Sequence, residues 1–99
     1  MATPEQVFQA LTKVLDPELA LPITDLGLVY DVQVDGTRAD VKVTLTSPGC
    51  ALGGTIVDYA RHAALGVEGI DEAIVEIVWD PPWSLDMMSD EARMRLGML

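Results

Sequence analysis

The chain has 99 residues, of which 49% are apolar, so it has the length and composition of one globular domain covering 1–99. Its 16 acidic and 6 basic residues give a net charge of −10, which repels phosphate, so we expect neither nucleic acid nor an anionic membrane surface among its partners. It has no apolar run long enough for a membrane helix, no signal peptide and a single cysteine, Cys50, which together predict a cytoplasmic protein without a disulfide.

The N-terminal part of the sequence predicts a helix followed by a long loop. Thr3 and Gln6 have the spacing of a capping box, Pro4 occupies the first helical position, and apolar residues recur at helical spacing, which predicts a helix over 3–15. Proline and glycine then punctuate 16–27, and the apolar residues among them predict a loop that packs on the body of the domain.

Two alternating segments predict a β-hairpin. Residues 28–35 and 39–46 alternate apolar and polar side chains around a turn at Asp35-Gly36, which is typical of two antiparallel strands with one buried face. Thr44 and Thr46 fall on the polar side of the second strand.

Two more helices and a third strand complete the pattern. Helical spacing predicts an inner helix face that ends near Leu65, before Gly66, formed by Leu52, Ile56, Tyr59, Ala60 and Ala63. Residues 73–79 are apolar on both faces and predict a strand that is central or covered on both sides, and Ser89 caps a last helix through Leu96. The order α-β-β-α-β-α predicts an α+β fold in which helices pack on a three-stranded mixed sheet.

Cys50 is the first candidate functional residue. It follows Pro48-Gly49 and lies at or just before the start of the predicted second helix, where free backbone N–H groups and the helix dipole favour a thiolate. A thiolate can bind metal or attack an electrophile. An inert buried cysteine is the structural alternative, because cysteine is among the most buried residue types.

Polar residues of two loops are further candidates. Asp16, Glu18 and Asp25 lie in the long first loop, where carboxylates can bind a metal or orient a thiolate, although aspartates beside proline and glycine are also ordinary turn residues. Thr44 and Thr46 lead into the cysteine segment and could supply hydroxyl groups, although threonine is common in strands.

The remaining residues of interest predict packing rather than catalysis. His62 is about 18 Å along the helix from Cys50 and is expected at the surface. Trp79 and Trp83 pack around a turn or face a partner, and the methionine-rich tail covers the core or forms a subunit contact. No phosphate-loop, metalloprotease or nucleophile-elbow motif is present, so we expect no enzyme.

Five short motifs occur in one order along nearly the whole chain: Asp16-Pro17-Glu18, 23–30, 45–50, 79–83 and 89–93. Together they resemble the metal–sulfur cluster assembly factors, the family that includes SufT, PaaD-like proteins and eukaryotic cytosolic iron–sulfur assembly adaptors. The resemblance implies an α+β domain that assembles or delivers iron–sulfur clusters to client proteins. It also implies that Cys50 is a cluster or metal ligand and that Asp16, Glu18, Asp25 and Thr46 surround it. Ala51 stands where relatives usually carry proline.

One cysteine per chain limits the site that the resemblance implies. An iron–sulfur cluster usually takes four protein ligands, so we expect a transient cluster or iron that is bridged between two chains of a homodimer or shared with a client, or otherwise no cofactor. The expected partners are iron–sulfur client apoproteins or the cluster-assembly machinery. Two alternatives stay open, namely an adaptor that supports assembly of a multisubunit metalloenzyme and a thiol redox protein.

Overall fold

The computed structural model describes residues 2–17, 19–45 and 53–97. Its elements in chain order are α1 (Pro4–Leu11), β1 (Val29–Asp35), β2 (Arg38–Val43), α2 (Gly53–Leu65), β3 (Glu72–Ile77), a 3-10 helix (Leu85–Met87) and α3 (Asp90–Arg95). The predicted order of helices and strands is confirmed. The short 3-10 helix was not predicted.

Helix α1 begins where its sequence predicts and ends earlier. The Thr3 side chain accepts a hydrogen bond from the Gln6 backbone N–H at 3.2 Å, and the Gln6 side chain accepts one from the Thr3 N–H at 2.9 Å, so the capping box is confirmed. The predicted end near residue 15 is wrong, because the helix stops at Leu11. The chain turns there so that the Val14 carbonyl can accept a hydrogen bond from the Ile23 N–H at 2.9 Å, which closes the first loop.

The sheet has the order β1-β2-β3, with an antiparallel and a parallel pair. Strands β1 and β2 form the predicted hairpin around Gly36, whose φ of 64° suits glycine. One extra residue of β1 lies between the Val29–Val43 and Asp31–Lys42 pairs, which is a β-bulge. The central strand β2 contributes Ala39, Val41 and Val43 to the core.

Strand β3 lies at an edge of the sheet, and the prediction that it is central or covered on both sides is wrong. Ala73 is buried on the side where α2 packs, but Ile74 on the opposite face is 46% exposed. The apolar residues of β3 therefore cover one face of the core only, and its other face is open.

Helix α2 buries Ile56 and Ala60 against the sheet and ends before Gly66, whose N–H donates to the His62 carbonyl, as predicted. Tyr59 was predicted on the inner face, and this is wrong, because it is 51% exposed and lines an open groove with Val14 and Leu15. His62 is exposed, as expected. None of the helices in the described part of the chain is long and apolar enough to cross a membrane.

The chain after β3 forms a segment that we call the C-terminal strap, residues 78–97. The predicted break after the strand is confirmed, and the Asp80-Pro81 peptide bond is cis. Ser89 caps α3 by accepting a hydrogen bond from the Ala92 N–H at 3.1 Å. Met88 and Ala92 are buried in the core, whereas Met94 is 66% exposed, so the strap covers the core through one of its methionines.

Candidate functional site

The C-terminal strap is fastened to the first loop and to β1 by hydrogen bonds, three of which are accepted by backbone carbonyls. The Trp83 indole N–H donates to the Leu26 carbonyl at 2.7 Å, and the Tyr30 hydroxyl donates to the Pro81 carbonyl at 2.7 Å. The Ser89 N–H donates to the Asp25 carbonyl at 2.8 Å. Hydrogen bonds between residues more than fifty positions apart therefore join the motif 23–30 to the motifs 79–83 and 89–93.

Gly27 marks the closest approach between the loop and the strap. Its φ of 75° lies in the left-handed region, and a Cβ placed there would lie 2.8 Å from the Met87 carbonyl carbon and closer still to the carbonyl oxygen. Glycine is required here both by the backbone conformation and by the space.

A cleft of about 600 Å³ opens beside this contact. Its lining residues come from the loop, the hairpin and the strap, and they are Gly27, Val29, Tyr30, Lys42, Val78, Asp80, Pro81 and Met87. The walls are mainly apolar, and Lys42 and Asp80 add one charge of each sign. Such a combination suits a protein side chain better than a free anion. Sequence reasoning missed this cleft, although its motif residues were already visible in 23–30 and 79–83.

Asp16, the first of the predicted site residues, is buried and holds a turn. Its carboxylate accepts a hydrogen bond from the Leu19 N–H at 3.1 Å, while its backbone bonds to Leu21 and Ala20 at 2.9 and 2.8 Å. Ala20 has a φ of 56°, which this network of bonds stabilises. Asp16 thus shapes the first loop by the turn chemistry that the sequence also allowed.

Asp25 is half-buried in the next turn of the same loop, and its backbone carbonyl accepts the hydrogen bond from the Ser89 N–H of the strap. The other predicted site residues, Glu18, Thr46 and Cys50, lie outside the described residues. Within 2–17, 19–45 and 53–97, no group of three or more His, Cys, Asp or Glu side chains is arranged to hold a metal ion.

Thr44 was predicted on the polar face of the second strand, and this is wrong. Strand β2 ends at Val43, and Thr44 and Leu45 are both buried, so the alternation stops at the end of the strand. The Thr44 N–H donates to the Leu28 carbonyl at 2.8 Å. Its hydroxyl is buried with no hydrogen-bond partner in the described part of the chain. Alternation alone could not reveal this buried polar group, which stands two residues before Thr46 in the sequence.

The two tryptophans differ. Trp83 is half-buried and bonded to the first loop, which confirms the packing interpretation for this residue. Trp79 is 46% exposed.

Comparison with known proteins finds relatives that match nearly the whole chain. The chain is 43% identical over 98 residues to the Fe-S protein maturation auxiliary factor YitW of Bacillus subtilis, and the match covers 98% of this chain and 96% of that protein. It is 45% identical over 86 residues to the Fe-S protein maturation auxiliary factor SufT of Staphylococcus aureus, covering 86% of this chain and 98% of that protein.

A solved structure with the same fold also covers nearly the whole chain. The crystal structure of a domain of unknown function from Bacillus anthracis superimposes with a TM-score of 0.91 at 39% identity, covering 97% of this chain and 92% of that one. The α+β fold with a three-stranded mixed sheet is thereby confirmed. The model of the iron–sulfur cluster assembly protein family matches residues 4–77. The resemblance seen in the five motifs is therefore confirmed, and the chain belongs to the iron–sulfur cluster assembly protein family.

Proposed function

We propose that this chain, as a single domain over 1–99, is a non-enzymatic factor in the maturation of iron–sulfur proteins, in which Cys50 binds the cluster or iron transiently. The observation that carries the role in cluster assembly is the family match over 4–77 together with the near full-length similarity to two maturation auxiliary factors. Auxiliary factors are a non-catalytic class, so the chain contributes ligands and contacts rather than a catalysed step.

Ligand supply determines how Cys50 can act. Fe–S clusters are usually held by four protein ligands, and each chain offers one thiolate. In a homodimer two copies of Cys50 would hold the cluster, and small thiols from solution, such as the reductant used in reconstitution, would complete the shell until the thiolates of a client apoprotein replace them. On transfer, each client thiol loses its proton and replaces one Cys50 thiolate, which takes up a proton, and no oxidation state changes.

Two features of the chain support this assignment. Cys50 precedes Gly53, the first residue of α2, by three positions in sequence, and the positive end of a helix dipole favours a thiolate nearby. The first loop, which carries Asp16, Glu18 and Asp25 in its sequence, is fixed by hydrogen bonds within the loop, to Val14 and to the strap. A loop held in this way would keep in fixed positions the carboxylates that the family resemblance places with Thr46 around the thiol. The expected location is the cytoplasm, where thiols stay reduced.

The decisive experiment is anaerobic reconstitution with iron and sulfide, followed by analysis of iron, acid-labile sulfide and visible absorbance per chain. Wild type is compared with Cys50→Ser and Cys50→Ala. We expect wild type to bind one cluster per two chains and to become dimeric on loading in sedimentation velocity, whereas both variants remain monomeric and free of iron. Glu68→Gln, at an exposed residue outside the predicted site, serves as the matched control that keeps the thiol.

An adaptor role is the second candidate, and the cleft between the strap and the hairpin favours it, because mainly apolar walls suit a partner side chain. An adaptor forms a stable complex with assembly machinery or client that survives Cys50→Ser. Equal iron content in wild type and Cys50→Ser would exclude Cys50 as a ligand and leave the adaptor. A thiol redox role requires a lowered thiol pKa, so a measured pKa near about 8.5 would exclude it.

A further inference from the structure

The free edge of β3 is a regular strand with one neighbour. The Val78 N–H donates to the Val43 carbonyl at 2.8 Å, and at the start of the strand the N–H groups of Asp71 and Glu72 share the Thr37 carbonyl at 2.9 and 3.3 Å. In the parallel pairing that continues from Glu72 to Val78, alternate residues from 72 onward therefore direct their backbone groups towards β2. The backbone groups of Ala73, Val75 and Ile77 therefore point outward, where no strand of the described chain pairs with them.

The other edge of the sheet is less suited to receive a strand. Strand β1 contains the bulge between Val29 and Asp31, which interrupts its regular pairing. Bulges are one of the ways in which proteins blunt an exposed edge. Strand β3 has no bulge and no proline over Glu72–Ile77, so its edge keeps the regular spacing that another strand requires.

The side chains on the open face of β3 define what could pair there. Glu72, Ile74 and Glu76 alternate on this face, and all three are exposed. None of the ion pairs that the structure describes includes Glu72 or Glu76. In an antiparallel partner, residues opposite these three occupy positions without direct backbone hydrogen bonds, where cross-strand side chains lie closest.

We propose that the β3 edge binds an extended segment of a partner protein with two basic side chains four residues apart and an apolar side chain midway between them. The backbone bonds form at Ala73, Val75 and Ile77, the basic side chains pair with Glu72 and Glu76, and the apolar one covers Ile74. The net charge of −10 attracts such a segment from a distance. A second copy fits less well, because the symmetric pairing centred on Ile74 sets Glu72 against Glu76 of the other chain. This site uses neither Cys50 nor iron, so it is independent of the proposed function.

The test is a titration of the isotope-labelled full chain with a synthetic peptide, followed by backbone amide NMR at low ionic strength. The peptide has lysines at two positions four residues apart, valine midway and threonine elsewhere. A second peptide carries glutamate in place of lysine, and a third is N-methylated at the amides that face β3. We expect the first peptide to shift the Ala73, Val75 and Ile77 amides and to slow their hydrogen exchange, and the other two to bind at least about ten-fold more weakly.

Charge-reversal variants separate this edge from general attraction. Glu72→Lys/Glu76→Lys should weaken binding of the lysine peptide by at least about ten-fold. Asp58→Lys/Glu68→Lys makes an equal charge change at two exposed residues, one in α2 and one between α2 and β3, and should have a much smaller effect. Equal losses in the two variants, or unchanged amides at 73, 75 and 77, would overturn the proposal. Protection of those amides that grows with protein concentration alone would assign the edge to a second copy instead.

Discussion

At the scale of single residues, Gly27 is a position where the fold has no room for a side chain. We predict that Gly27→Ala lowers the free energy of unfolding by more than the roughly 1–2 kcal/mol of a left-handed residue, because the new Cβ also displaces the Met87 backbone. Urea unfolding followed by tryptophan fluorescence measures the change.

Gly36→Ala is the matched control for that experiment. Gly36 has a similar φ of 64°, but open space surrounds its Cβ position. Its substitution therefore costs only the free energy of placing a side chain in the left-handed backbone region. The difference between the two variants isolates the contact with the strap. If both variants lose the same stability, the contact between Gly27 and Met87 contributes nothing.

Thr44 gives a second prediction, of the opposite sign. Its buried hydroxyl has no partner in the described part of the chain, and leaving such a group unpaired costs about 1–3 kcal/mol. We predict that Thr44→Val, which keeps the shape and removes the hydroxyl, raises the free energy of unfolding by about 1 kcal/mol. Thr44→Ser keeps the hydroxyl, removes the methyl group and should destabilise. Destabilisation by valine would show that the hydroxyl has a partner in solution.

Residue patterns predicted some local roles and missed others. The Thr3–Gln6 capping box and the Ser89 cap follow from neighbours three residues away, so the sequence contains all that determines them. The burial of Thr44 and the exposure of Tyr59 depend on where a strand ends and how a helix is rotated, which is set by distant packing. Of the residues predicted around Cys50, Asp16 and Asp25 are held in the first loop, and the grouping with Glu18, Thr46 and Cys50 stays a prediction.

At the scale of elements, the strap is the part whose attachment the sequence did not predict. Its hydrogen bonds join residues more than fifty positions apart, and no local pattern reports such contacts. The same reason explains the wrong placement of β3, because apolar residues on both faces do not say which face another element covers. Helix α1 ends earlier than predicted because the Val14 carbonyl accepts a hydrogen bond from the Ile23 N–H across the first loop. The hairpin and the parallel crossover were predicted, since alternation and element order determine them.

Trp83 tests the attachment of the strap. We predict that Trp83→Phe lowers the free energy of unfolding by about 0.5–1.5 kcal/mol, because the Leu26 carbonyl loses its donor, and that it speeds amide exchange in the strap more than in β2. Trp79→Phe is the control, since this exposed side chain makes no hydrogen bond within the described residues. Equal effects of the two substitutions would contradict a specific role for the Trp83 bond.

At the scale of the whole molecule, charge repulsion opposes folding. The described ion pairs all involve arginine at the surface, where such pairs contribute little, and 16 acidic residues face 6 basic ones. We predict that potassium chloride raises Tm by screening this repulsion. Each kcal/mol added to the free energy of unfolding corresponds to a rise in Tm of about 4–8 °C. Scanning calorimetry across a range of salt concentrations measures the shift.

The salt effect has its own control. Asp58→Lys/Glu68→Lys has a smaller net negative charge, so its Tm should rise less with salt than that of wild type. A wild-type Tm that falls with salt would mean that attraction within the surface ion pairs outweighs the repulsion.

The bulge in β1 makes position 30 the one place where this strand can lose a residue without changing its pairing. Deleting Tyr30 would let Val29 and Asp31 pair with Val43 and Lys42 as in a regular ladder. A deletion between 32 and 35 would instead turn the apolar side chains of β1 to the open face. Loss of residue 30 also removes the hydroxyl that holds Pro81, so the strap would need another attachment. Length changes during evolution should therefore fall at this position and be accompanied by substitutions in the strap.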